Sequence, residues 1–295
     1  MKPATWAPEV IDVHFDHAGF IVEDLQATSH FMGQLGFTQT VRADHTRVNA
    51  RGERESAGSS QHCIMLRQGY IELMQITDAS RGHQLASAPG VRYGLHLLGL
   101  GTADADACHA ACVRNGVEVG DVLHWTRPVK EDGLQGTAQF AYFGSAWQPE
   151  DPGYVFWVQH HTPELLRSPT LVTHANGATG LTGLVYRGPP NLARAWGAQL
   201  QAAGLRLERD NAEGLALSLP GLRVQVGFDE AAERVLPVAL EMDFDDCAVL
   251  QARCAQLGVA FAPLPGGGLD LNLVAQTGLH WIGRAAAAAE ATRHP

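Results

Sequence analysis

Three side chains in the first third of the chain have the types and the setting for metal or acid–base chemistry. His17 stands in Phe15-Asp16-His17-Ala18-Gly19, Glu72 in Tyr70-Ile71-Glu72-Leu73-Met74, and His96 in Gly94-Leu95-His96-Leu97. Each interrupts an apolar run that reads as a strand. A carboxylate in such a run is costly unless it is paired or bound to a cation. Two imidazoles and one carboxylate, with coordination positions left open, are a donor set for iron, manganese, nickel or zinc. The competing reading is a buried His–Glu hydrogen bond for His17 and Glu72, and a satisfied core imidazole for His96.

Other residues could complete such a site. In Gln159-His160-His161 the two histidines alternate faces, so one should point inward. His160 is the candidate proton handler. Gln159 is a candidate donor to a substrate oxygen, against the plainer reading of an amide bonded to backbone. Arg127, in Trp125-Thr126-Arg127-Pro128, could hold a substrate carboxylate as a two-pronged donor, or form a surface ion pair. His62, beside Cys63, is a candidate lining residue. Phe156, Trp157, Trp147, Tyr154 and Phe143 offer stacking surface for a small aromatic ligand. His14 faces away from His17 on its strand, so the two are not a chelating pair, and His30, His45, His83, His109 and His124 read as solvated or packed side chains. Twelve of the fourteen histidines fall at or before His174. This imbalance points to a functional first part and a structural second part.

The elements that must position these residues recur four times. A strand-like run leads to a helix opened by Asp24, Asp104, Asn191 or Asp245-Asp246, and each helix closes at a glycine: Gly36, Gly116, Gly204 and Gly258. Short oxygen-bearing side chains accept from the unpaired amides of a first turn, and glycine takes the left-handed conformation that ends a helix. Further strands follow each glycine, at Phe37–Val48, His62–Arg67 and Tyr70–Ile76 in module one and Val117–Val129, Thr137–Phe143 and Tyr154–His160 in module two. Module three reads Leu205–Glu208, Leu215–Leu219 and Leu222–Val226. Module four reads Val259–Ala262, Leu269–Val274 and His280–Ile282. Asn49–Ser60 reads as a long loop able to cover something. The stretch from Thr162 to Thr179 lacks a period and reads as a crossing. The expected division is a module pair at 1–165 holding the site, a linker at 166–178, and a structural pair at 179–295. A short helix or frayed end is expected at Ala285–Ala289.

Bulk properties narrow the classes. The 295 residues are 45% hydrophobic and 18% charged, ample for a core. A net charge of −10 gives no support to a nucleic-acid partner and argues weakly against an anionic membrane. The cysteine pairs Cys108/Cys112 and Cys247/Cys254 have helical spacing and read as reduced core thiols. No basic-then-apolar leader and no long apolar run stands out, so the expectation is a cytoplasmic protein. Gly266-Gly267-Gly268 lacks the strand–loop–helix setting of a phosphate loop.

Paired βαβββ modules with His on a first strand and Glu on a last strand resemble the vicinal-oxygen-chelate superfamily. Its members include glyoxalase I, extradiol dioxygenases and bleomycin-resistance proteins. The opening Phe15–Leu25 is close to that group's, and Gln159–Glu164 with His174–Ala178 is similar to its larger glyoxalase-like domains. The resemblance implies an α+β fold of four βαβββ modules forming two cupped-sheet domains, with a divalent metal ion held between two modules. His17, Glu72 and His96 match three ligand positions, and Phe156 falls on the fourth. The implied activity is a metal-dependent lyase or isomerase, or an oxygen-dependent dioxygenase, acting on a small bidentate oxygenated substrate. The alternative is a non-catalytic protein that sequesters an aromatic compound. The third and fourth modules offer only Leu181–Leu184, Gln225 and Glu241 at comparable places, so they read as structural. A monomer or a homodimer is expected.

Overall fold

The computed structural model describes residues 9–48, 51–81, 93–146 and 151–285. The expectations for His83, Trp147, His294 and the tail beyond residue 285 lie outside the described residues. Module one comprises β1 (His14–Ile21), α1 (Leu25–Gln34), β2 (Ala43–Val48), β3 (Arg54–Met65) and β4 (Tyr70–Ile76). Module two comprises β5 (Gly94–Gly101), α2 (Ala105–Arg114), β6 (Leu123–Glu131), β7 (Leu134–Gly144) and β8 (Tyr154–His160). Together they make one eight-stranded sheet in the order β2-β3-β4-β1-β5-β8-β7-β6. Modules three and four repeat the plan. Module three has β9 (Ala178–Gly188), α3 (Pro190–Ala202), β10 (Arg206–Asp210), β11 (Gly214–Leu219) and β12 (Leu222–Phe228). Module four has β13 (Leu236–Phe244), α4 (Cys247–Leu257), β14 (Phe261–Leu264), β15 (Gly268–Leu273), a short α5 (Val274–Thr277) and β16 (Leu279–Ala285). Their sheet runs β10-β11-β12-β9-β13-β16-β15-β14. The fold is α+β, two curled sheets of two βαβββ modules each.

Local chemistry explains the repeated helix ends. Asp24 accepts from the Ala27 amide and Asp104 from the Ala107 amide, each at 2.9 Å. Asp246 does the same for Ala248. The four closing glycines all have positive φ, from +69° at Gly258 to +116° at Gly204. Three expectations fail. The strands expected at Phe37–Val48 and Val117–Val129 begin only at Ala43 and Leu123. Asn191 is not a cap, because α3 begins at Pro190. Most of the stretch expected as a loop at Asn49–Ser60 is strand, because β2 and β3 pair down to Val48 opposite Arg54.

The central strands meet in two-fold fashion. β1 runs antiparallel to β5 and parallel to β4, and β5 runs parallel to β8. One continuous apolar core joins the two sheets, with Trp281 of β16 packing against Phe20 and Phe37 of module one. The segment between the sheets is anchored there too. His174 accepts from the Thr38 amide through Nδ1 and donates to the Met65 carbonyl through Nε2, at 3.0 and 2.9 Å. All five cysteines are free and buried. Among the described residues no helix is long and apolar enough to cross a membrane.

Candidate active site

The concave face of the first sheet gathers His17, Gly19 and Ile21 from β1 with Tyr70, Glu72 and Met74 from β4, since parallel neighbours in register share a face. The His17 ring stacks on Tyr70, centroids 4.5 Å apart, and meets the edge of Phe156 at 5.7 Å. Two glycines make the space. A Cβ at Gly99 would lie 2.3 Å from the His17 ring, and one at Gly19 would lie 2.9 Å from Leu97 and 3.4 Å from Glu72 Oε2.

His17 is fixed from behind. Its Nδ1 lies 2.7 Å from Asp16 Oδ1, and the other Asp16 oxygen lies 3.1 Å from His160 Nε2. Asp16 is 4% exposed. Burial alone would raise its pKa, but hydrogen bonds from His160 and His17 and their charges outweigh it, so the carboxyl falls well below the ordinary range. An ionised Asp16 can only accept, so His17 donates to it through Nδ1, which leaves Nε2 as the ring atom on the open side. That Nε2 faces Glu72 Oε2 at 3.9 Å. The other Glu72 oxygen faces His45 Nε2 at 3.6 Å, and His45 Nδ1 is held by Ser59 Oγ at 2.7 Å. Glu72 therefore sits between two imidazoles, both reached from module one.

The opposite wall is aromatic and cationic. Phe156 stacks on Tyr142 at 5.1 Å, with Tyr154 at 6.4 Å. Arg127, half-buried on β6, makes no ion pair among the described residues. Its charge reaches Cys63 and Tyr70, which also feel Glu72. Burial, then the charge of Glu72, pushes the Cys63 thiol up to about 12, so it is no nucleophile. Leu166 and Leu171 of the inter-sheet segment pack with Cys63, Met65 and Tyr70 and close one end of the cup. Beyond them a cavity of about 320 Å³ is lined by His14, Asp16, Arg67, His160 and Arg167 among others.

The structure brings His17, Glu72, His160, Arg127 and Phe156 to this cup and keeps His96, Gln159, His62, Trp157 and Phe143 out of it. His96 occupies the place of Asp16, not of His17. The register pairs His17 with Tyr70 and Leu97 with Tyr154, so Leu97 is the counterpart of His17, and Phe156 that of Glu72. A bulge in the β1–β5 pairing falls at each of Asp16 and His96, and His96 is 1% exposed. Gln159 caps a helix instead. Its Nε2 donates to the Ala103 carbonyl at 2.6 Å and its Oε1 accepts from the Ala105 amide at 3.0 Å. Gln75 does the same at α1, with the Glu23 carbonyl and the Leu25 amide. His62 shares a face with Leu73, opposite the cup, and its Nδ1 bonds the Thr40 carbonyl. Trp157 and Phe143 stack in the core rather than line the cup.

Sequence reasoning missed Asp16 and His45. The cost of a carboxylate in an apolar strand, applied to Glu72, applies equally to Asp16. His45 lies on a polar edge strand and carries no comparable signal.

The model of the family described as "Glyoxalase-like domain" matches residues 15–202, more than half of the chain. The chain belongs to the glyoxalase-like domain family. A search of curated protein sequences finds no match. Among solved structures, a hypothetical protein from Staphylococcus aureus aligns with TM-score 0.63 at 11% identity, covering 93% of this chain and 100% of that one. A mutant of 4-hydroxymandelate synthase from Streptomyces coelicolor aligns with TM-score 0.55 at 14% identity, covering 94% and 95%. The Mn(II)-bound glyoxalase from Novosphingobium aromaticivorans aligns with TM-score 0.55 at 10% identity, covering 94% and 83%. At these identities the likeness is one of fold. It agrees with the vicinal-oxygen-chelate architecture of two half-barrel sheets.

Of the four positions where this architecture can hold an ion, two carry Leu97 and Phe156, which cannot ligate. Among the described residues no three ligating side chains already stand close enough to share one ion. The donor chemistry nevertheless fits. An imidazole nitrogen and a carboxylate oxygen that face each other can share a cation, a proton or a metal, between them.

Proposed function

We propose that the first cup is the active site of an enzyme that binds a small carboxylic acid bearing a carbonyl, and moves a proton at its acidic carbon. The observation that carries this is Glu72, flanked by His17 and His45, on the same floor as an Arg127 that has no ion pair among the described residues. Arg127 would take the substrate carboxylate as a two-pronged donor. Tyr142 and Phe156 would hold a planar body by stacking. Glu72 would take the proton, and in the ion-free cup the His17 imidazolium formed on sharing it would be stabilised by Asp16 behind it. His160, bonded to the same Asp16, is the nearest second proton carrier. A divalent ion, where bound, would be held through His17 and Glu72 and would polarise the substrate carbonyl. This is lyase or isomerase chemistry, and the donor set alone does not favour oxygen chemistry over it.

The apolar Leu97 and Phe156 favour one second reading, a cup that sequesters an aromatic acid without turnover. Proton NMR in deuterated water separates the two. A panel of small aromatic and aliphatic acids with a carbonyl next to a C–H bond is incubated with the protein, and deuterium wash-in is followed. Wash-in at one carbon supports the enzyme. Binding without wash-in supports sequestration, and neither one overturns the assignment of the cup.

A further inference from the structure

We infer that His45 is the third donor of a divalent-ion site built within module one, together with His17 and Glu72. This rests on the reading of His17 and Glu72 as an ion-holding pair, and adds a residue that no local sequence pattern singles out. Glu72 presents one oxygen to each imidazole, at 3.9 Å to His17 Nε2 and 3.6 Å to His45 Nε2. Neighbouring donors around one ion lie about 3–3.5 Å apart when each bond is about 2.0–2.2 Å. Binding therefore requires the side chains to draw together, because the two distances run to different oxygens of Glu72 and no three donors yet stand around one point among the described residues.

The two rings are supported alike. Asp16 holds Nδ1 of His17 and Ser59 holds Nδ1 of His45, which turns both Nε2 atoms toward the same carboxylate. A hydrogen bond at the second ring nitrogen is the usual support of a metal-ligating histidine, and Asp16 with His17 has the carboxylate–histidine form. With Nδ1 of each ring held from behind, Nε2 is the atom left to face Glu72. Module two cannot supply the missing donors, because Leu97 and Phe156 fill both of its positions. The edge strand β2 supplies one instead. Two neutral imidazoles and one carboxylate suit manganese, iron, nickel or zinc and leave open positions for substrate oxygens.

The test is calorimetric titration of chelator-treated, dialysed protein with Zn²⁺ and separately Mn²⁺, with melting curves to confirm folding. Wild type should bind one ion. Glu72→Gln and His45→Ala should each weaken binding at least about 100-fold, and Ser59→Ala about 10-fold. His45→Gln, which keeps a polar group beside Ser59, guards against a packing artefact and should behave as His45→Ala. His96→Leu should bind like wild type. Loss in Glu72→Gln with wild-type affinity in both His45 variants would overturn the role of His45 while leaving the His17–Glu72 pair. Loss in His96→Leu would return the third place to His96. No binding by wild type would overturn both the inference and the ion-holding reading.

Discussion

His17 pairs across β1 and β4 with Tyr70, and Leu97 pairs across β5 and β8 with Tyr154. Two residues on, Gly19 meets Glu72 and Gly99 meets Phe156. The modules are thus superposable strand for strand, and each serves as a control for the other. What both keep is what the fold requires: an Asp cap at each helix, a glutamine bridging strand and helix, and glycines at the close approach of β1 and β5. What only module one keeps is the imidazole and the carboxylate. A buried His–Glu pair is not needed to build this sheet, since Leu97 and Phe156 build it equally well. The second sheet extends the contrast. There Glu241 also faces a close glycine, Gly183, but Arg284 neutralises it at 2.8 Å.

That comparison can be broken most severely at its centre. Glu72→Gln should lower deuterium wash-in by about 10²–10⁴-fold, the usual worth of a positioned acid–base group, while Phe156→Leu at the matching position lowers it by less than about 10-fold. Comparable losses in both would mean that the two positions share the chemistry. Next in size, Arg127→Met should weaken a carboxylate ligand by about 1.5–3 kcal/mol in calorimetry and leave its neutral amide analogue unchanged. An equal loss for both ligands would reduce Arg127 to packing.

The structural half of the comparison predicts smaller and matched effects. Gln75→Leu and Gln159→Leu should each cost about 1 kcal/mol in denaturant unfolding, with wash-in retained. A Gln159→Leu variant that folds normally but loses wash-in would restore Gln159 as a catalytic residue. His174 sets a pH dependence outside the cup. Burial holds its imidazole below the ordinary value, against the opposing hydrogen bond to Met65. The unfolded chain then takes up a proton at higher pH than the folded one. Its stabilisation is complete above about pH 6.5 and is lost as pH falls toward the folded value. Urea midpoints at pH 7.5 and 5.5 should differ in that direction, and the difference should shrink in His174→Gln.

The contrast also explains what could be read in the sequence. The four modules were legible because caps, closing glycines and alternating strands are local signals, while Asn191, the β2–β3 hairpin and the starts of β2 and β6 misled. The loop-like stretch at Asn49–Ser60 carries polar residues because it belongs to an edge strand pair, where composition does not separate strand from loop. The candidate site was legible to the extent that it lies on apolar strands, where a charge stands out, as at Glu72. His96 misled by one residue. Its distance to Gly116 exceeds that from His17 to Gly36 by one, which is the offset the paired bulges at Asp16 and His96 express. His45 could not be found, because it comes to Glu72 only through the pairing of β2 with β3, and no local pattern encodes that pairing.

The most direct measurement is a crystal structure with an acid from the wash-in panel bound. Its carboxylate is expected on Arg127, its planar part against Phe156 and Tyr142, and its acidic carbon toward Glu72. An acid bound instead at Glu241 and Arg284 in the second cup, or in the cavity beside Arg67 and Arg167, would contradict that placement.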